Sequence, residues 1–223
     1  FHTTVPLDAV HREGITSVTR EQVHAARKAG YVVKLLAICE RLTDAATGVE
    51  GVSARVHPAL VPLDHPLAAV HGANNAVFVE AEAAGSLMFY GAGAGGIQTA
   101  SAVLGDLVSA ARRHVAGGPG VAESTHANMP VLPISSVTTR YQITLSVIDE
   151  PGVLATIATL FSDHGVSVEA VSQSVRDGAD APTATLVIVT HEAAESALAS
   201  TVTALAASPV VSSVVSVLRV EGL

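Results

Sequence analysis

Between Ala116 and about Thr138 the chain runs through Gly-Gly-Pro-Gly and then Met-Pro-Val-Leu-Pro, and neither a helical nor a strand period survives such a stretch. That interruption divides the polypeptide into residues 1–115 and 139–223, joined over 116–138 by a linker or a long ordered arm. Each block can build a core, because 49% of the residues are hydrophobic and 14% are charged. Lys and Arg total 12 against 20 Asp and Glu, so the formal charge of −8 argues against a protein that binds by neutralising phosphates. With no Trp, three Tyr and four Phe, platforms for stacking unpaired bases are also scarce, and no nucleic-acid partner is expected. The uncharged stretches Ala83–Gly105 and Ser196–Leu218 are long enough to suggest membrane spans. Glycines in the first, and Pro209 with many Ser and Thr in the second, argue for soluble elements and no membrane partner. The start at Phe1-His2-Thr3-Thr4 has no signal-peptide pattern, and the lone Cys39 has no internal partner, which together suggest a cytoplasmic protein with Cys39 in its core.

The second block alternates periods. Tyr141, Ile143, Leu145 and Val147 alternate with polar residues as a half-buried strand does, after which Val153, Ile157, Leu160 and Phe161 recur at helical spacing up to Gly165. Two strand-like runs follow, Val166–Val175 and Thr183–Val189, joined through the hairpin-type signal Arg176-Asp177-Gly178. A helix over about Glu192–Ala207 and a strand over Val211–Leu218 complete a βαββαβ order, an antiparallel sheet with two helices on one face.

In the first block, Thr19 caps and Gly30 stops a helix, with strands predicted over Tyr31–Ile38, Val52–Ala59, Asn75–Glu82 and Leu87–Tyr90. A last helix spans about Ile97–His114, its apolar residues Ala100, Val103, Leu104, Leu107 and Ala111 on one side.

Two motifs can carry chemistry. Gly91-Ala-Gly93-Ala-Gly95-Gly96 satisfies GxGxxG between a strand and a helix, but the second parallel strand of a dinucleotide-binding unit is missing. What remains is a backbone that a ligand can approach closely and a helix N-terminus whose N–H groups suit an anion or amide; a tight turn under a helix explains the same residues. In Asp149-Glu-Pro-Gly-Val-Leu154, Asp149 can cap a helix with Pro151 in its first turn, and Gly152 opens the backbone to an amino-acid carboxylate; a plain capped helix is the alternative. Lys34 is read as a strand lysine in solvent or paired with a carboxylate. Ten His without HxxxH spacing give no metal site, and Glu80 with Glu82 have no evident partners.

Glu13-Gly-Ile-Thr16, Gly30-Tyr-Val-Val-Lys-Leu-Leu-Ala37, Val56-His-Pro-Ala-Leu-Val-Pro62 and Gly91–Asp106 together closely resemble homoserine dehydrogenase over residues 1–115. Asp149–Leu154 and Asp163-His-Gly-Val-Ser-Val-Glu-Ala-Val-Ser-Gln173 resemble an ACT domain over 139–223. The resemblance implies an α+β chain: part of the dehydrogenase catalytic and oligomerisation domain with a mixed sheet, then a ferredoxin-like ACT module. It implies reversible reduction of aspartate semialdehyde to homoserine with NADPH or NADH, in threonine, methionine and isoleucine synthesis. The family's Rossmann domain and catalytic lysine have no counterpart in the sequence, so the chain is expected to be a C-terminal portion, inactive without the N-terminal half of the enzyme, with no catalytic residue of its own. By position, Gly93, Ala94, Gly95 and Thr99 correspond to the loop and first helical turn beside the cofactor. Asp149, Gly152, Val153, Leu154 and Gln173 correspond to the effector site, for which the family suggests threonine. A homo-oligomer, dimer or tetramer, is expected; a free-standing amino-acid sensor of the ACT type is the alternative.

Overall fold

A computed structural model describes residues 1–117, 125–176 and 183–222. Asp177 and Gly178 of the expected hairpin turn, and residues 118–124 of the connecting arm, lie outside the described residues. In chain order the elements are β1 (His11–Arg12), α1 (Arg20–Lys28), β2 (Tyr31–Thr43), β3 (Glu50–Pro62), β4 (Asn74–Ala81), β5 (Gly85–Ala92), α2 (Gly96–Ala116), β6 (Thr138–Ile148), α3 (Val153–Asp163), β7 (Val168–Arg176), β8 (Thr183–Thr190), β9 (Ala193–Ala194), α4 (Glu195–Ala207) and β10 (Val211–Val220). They form two compact units, Phe1–Pro62 with His126–Leu223, and Leu63–Thr125. The first unit draws on both sequence blocks.

In the first unit, Thr19 and Gln22 close a capping box on α1: the Thr19 hydroxyl accepts from the Gln22 N–H at 3.2 Å and the Gln22 side-chain Oε1 from the Thr19 N–H at 2.6 Å. β2 and β3 pair from Tyr31↔Pro62 to Thr43↔Glu50, longer than the apolar pattern suggests. Their tight connection begins at Asp44, whose carboxylate accepts hydrogen bonds from the Ser136 and Thr47 hydroxyls and the Thr47 N–H; these hold its pKa down to about 2. Cys39 is exposed rather than buried. The apolar run Leu35–Ile38 lies in a strand, where successive side chains change face, so Leu35 and Cys39 point outward together. Lys34 is partly buried, and desolvation followed by the charge of Arg27 lowers its pKa.

The C-terminal strands form the antiparallel order β10-β6-β8-β7, with β6 pairing Gln142↔Val189 to Ile148↔Thr183 against β8. Ile143, Leu145 and Val147 of β6, Leu186 and Ile188 of β8, Val153, Ile157 and Phe161 of α3, and Leu198 and Leu205 of α4 make one buried core. Each large side chain there contributes about 1.5–3 kcal/mol over exposure. This is the α+β, βαββαβ arrangement expected from the sequence.

Its outer strand β10 does not end as a free edge. Arg219 and Val220 pair in parallel with Ala59 and Leu60 of β3, making the sheet mixed, and Leu218 and Val220 share a core with Leu60 and Ala26. The described part of the arm is ordered against the same strand: Val52 N–H donates to the Pro130 carbonyl, and Leu132 N–H to the Val52 carbonyl, each at 2.9 Å.

The second unit holds β4, β5 and α2. The two strands form a regular hairpin from Asn74↔Ala92 to Ala81↔Gly85. α2 carries its apolar residues at helical spacing as predicted, but none of its residues is buried, and β5 is exposed throughout. No helix among the described residues is long and apolar enough to cross a membrane.

Candidate functional site

The second unit brings Gly93, Ala94, Gly95 and Thr99 together at the start of α2. β5 ends at Ala92, and the Gly93 N–H donates to the Ala73 carbonyl at 2.8 Å, turning the chain back toward β4. A side chain at Gly93 would lie 2.0 Å from the Asn75 amide nitrogen, so a larger residue cannot occupy that turn without displacing Asn75. Gly95, at φ 137°, is the N-cap, and its carbonyl accepts the first helical bond from the Thr99 N–H at 2.9 Å. The N–H groups of Gly96, Ile97 and Gln98 therefore fall in the turn that has no intrahelical acceptor. Beside them lies an open groove of about 670 Å³ lined by Gly95, Gly96, Thr99, Ala100, Val103 and Leu104. Free amides, one hydroxyl and an apolar wall fit the flat, carboxamide-bearing ring of a nicotinamide cofactor. No lining residue is charged, so an anion held there would rest on the backbone amides and the Thr99 hydroxyl alone.

The first unit brings Asp149 and Gln173 together. The Gln173 amide donates to Asp149 Oδ1 at 3.3 Å, linking the β6–α3 turn to β7. The expected cap is corrected: α3 begins at Val153, its N-cap is Gly152, and no side chain caps it. Asp149 stands too far before the helix, and Pro151 precedes it rather than opening it, because Gly152 at φ 94° takes the left-handed bend where a side chain would be strained. Val153 is buried, whereas Gly152, Leu154 and Gln173 are exposed. The turn thus presents a carboxylate, a carboxamide and a bare helix N-terminus on one accessible edge, groups matched to the ammonium and carboxylate of an amino acid.

The sequence reading missed a buried ionic network at the far end of β10. Arg219 pairs with Glu195, which also accepts from the Tyr141 hydroxyl at 2.6 Å, while the guanidinium lies 5.6 Å from the Tyr141 ring centre. A further Arg219 nitrogen donates to Glu13 at 2.8 Å. Arg55, 2% exposed, donates to Glu40 at 2.6 Å and to Glu221 at 3.4 Å, and the fully buried His57 lies 3.5 Å from Glu221. Burial, reinforced by Arg219, pushes the His57 pKa down to about 4, and burial raises that of Glu221. Burial also disfavours the charged Glu13, but hydrogen bonds from His11 and Arg219 outweigh it and lower its pKa. The available signal was a charged residue inside an apolar strand run, Arg55 and Arg219 alike. No group of three or more His, Cys, Asp or Glu among the described residues is placed to hold a metal.

The βαββαβ half of the mixed sheet defines a ferredoxin-like module, preceded in the chain by a block whose glycine loop opens a helix. Residues 1–108 match the homoserine dehydrogenase family and residues 141–209 the ACT domain family. The chain is 52% identical over 221 residues to homoserine dehydrogenase of Corynebacterium glutamicum and 54% identical over 225 residues to that of Mycobacterium leprae, covering 99% and 100% of itself and 48% and 51% of those proteins. A solved homoserine dehydrogenase from Thiobacillus denitrificans superposes with a TM-score of 0.87 at 34% identity, over 99% of this chain and 49% of that one. Residues 1–108 belong to the homoserine dehydrogenase family and residues 141–209 to the ACT domain family, and the chain spans about half the length of the curated relatives it matches. A free-standing sensor is not favoured, because the first block itself matches the dehydrogenase.

Proposed function

We propose that the chain is the C-terminal portion of a cytoplasmic homoserine dehydrogenase that interconverts L-homoserine and L-aspartate 4-semialdehyde with NADP or NAD, in threonine, methionine and isoleucine synthesis. The observation that carries this reading is the glycine loop opening α2, whose exposed backbone and uncharged groove suit a flat nicotinamide ring. A nicotinamide held there would supply hydride exchange with the substrate carbon. Gly93, Ala94 and Gly95 admit its ring to the backbone, and Thr99 fixes the first turn beside it. The rest of the cofactor and the proton-transfer groups belong to the N-terminal half of the enzyme, which this reading makes the chain's first partner. The isolated chain will show no NADP-dependent homoserine oxidation, and activity will appear when that half is supplied; turnover by the chain alone would overturn the assignment.

The ACT module is read as a threonine-binding feedback unit. Asp149 holds the ligand ammonium, the amides after Gly152 its carboxylate, and Gln173 closes the site. The exposed β7 edge is a surface on which two ACT modules can pair, in a homodimer or tetramer. Calorimetry with millimolar threonine will give heat that Gln173→Ala weakens; no heat with the unaltered chain removes both the site and the effector.

A further inference from the structure

β10 connects two places that lie far apart in the first unit. At its start, Val211 pairs with Val147, and the Val210 carbonyl accepts from the Ile148 N–H at 3.2 Å, next to the Asp149–Gly152 turn. At its end, Arg219 and Val220 pair with β3, and the Glu221 N–H donates to the Leu60 carbonyl at 2.9 Å. Between these ends the β10–β6 register shifts twice, at Val211/Ser213 and Val214/Ser216.

The side chains at that end are divided between the two sequence blocks. Arg219 shares its guanidinium between Glu195 at the start of α4 and Glu13, which follows β1. Glu221 receives Arg55 from β3. Glu13 is held three ways, by Arg219, by His11 at 2.7 Å and through its N–H to the Val56 carbonyl at 2.8 Å. Arg219 itself is 7% exposed, so its contacts are shielded from competing water.

We propose that β10 is the coupling element of this protein: Arg219 is a positioning residue that holds the His11–Glu13 segment on β3 and passes the conformational state of the ACT module to it. A guanidinium can serve two carboxylates at once; an ammonium at the same place serves the nearer one, Glu195. The inference relies on the effector reading only for the origin of the signal, not for the link.

Amide exchange on the full chain, read by mass spectrometry without ligand, tests the link. Glu13→Ala and Arg219→Lys will each speed exchange at the residue 13 amide, relative to its intrinsic rate, by about tenfold to a hundredfold, the loss expected for one charge-assisted hydrogen bond. The double variant will not exceed Glu13→Ala, because truncating Glu13 already removes the bond that Arg219→Lys breaks. A merely structural role for Arg219 would give additive effects spread over the module. Unchanged exchange around Glu13, or additivity, overturns the proposal. With threonine, the unaltered chain will show protection at 149–154 and a change at 11–13, and Arg219→Lys will keep the first and lose the second. Protection at the turn with no response at 11–13 also overturns the coupling. Absence of any protection removes the effector reading, while the ligand-free variants still decide the link.

Discussion

The two compact units treat their apolar residues in opposite ways. The first encloses Phe161, Ile157, Leu198 and Leu205 completely and extends its sheet through β10 into β3. The second leaves Val103, Leu104 and Leu107 of α2 between 57% and 62% exposed, and sets Val77 opposite Phe89 and Val79 opposite Leu87 on one uncovered face of its hairpin. A two-stranded hairpin is marginal by itself in water, so an amphipathic sequence that covers nothing within its own unit is patterned for contact with something else. The comparison teaches that one chain can carry a finished fold and an unfinished one, and that periodicity alone does not tell them apart.

The contrast can be broken by substitution. Phe161→Ala in the first unit will lower its unfolding free energy by about 3–5 kcal/mol in urea titration of the full chain. Glu195→Ala will cost a similar amount, because it strands the Tyr141 hydroxyl and leaves the buried Arg219 with Glu13 alone, and it should be compared with Glu195→Gln, which keeps an acceptor. Acid will also act on the first unit. With the folded pKa of His57 at about 4 and the unfolded one at 6.5, the unfolded chain takes up the proton first as pH falls. Stability is therefore present above pH 6.5 and is lost between 6.5 and 4, by up to about 3 kcal/mol. Glu221, raised by burial, works in the opposite sense, so the measurement is the difference in pH slope between the unaltered chain and His57→Gln. Gly152→Ala will cost about 1–2 kcal/mol through its positive φ. Leu104→Ala on α2 will change unfolding of the chain by less than about 0.5 kcal/mol, and a loss as large as that of Phe161→Ala would show that the second unit is closed after all.

Local signals in the sequence carried most of the elements. Thr19 and Gly30 bracket α1 through chemistry confined to neighbouring residues, and the period-2 run at Tyr141–Val147 marks β6 because half its side chains enter one core. Gly93, Gly95 and Thr99 meet because they are adjacent in sequence, whereas Asp149 and Gln173 meet only through the antiparallel order of β6, β8 and β7. The Asp149 cap failed because Pro151-Gly152 offered two places to start a helix, and the left-handed glycine decides between them. What left no trace was long-range pairing. Nothing in Val211–Val220 announces that Arg219 will lie beside Ala59, since parallel pairing between distant strands has no period of its own. Cys39 was misplaced for a related reason: an apolar run reads alike in a buried strand and in one with an open face.

The chain leaves the first unit after Pro62 and re-enters it at His126, where the arm settles along Val52. The glycine-loop unit is therefore sewn in at both ends. A protease that nicks anywhere within Leu63–Thr125 should yield two polypeptides that still travel as one particle, clasped by β3, β10 and the arm. The same topology allows that excursion to be lengthened, shortened or exchanged over evolutionary time while the sheet of the first unit keeps its register.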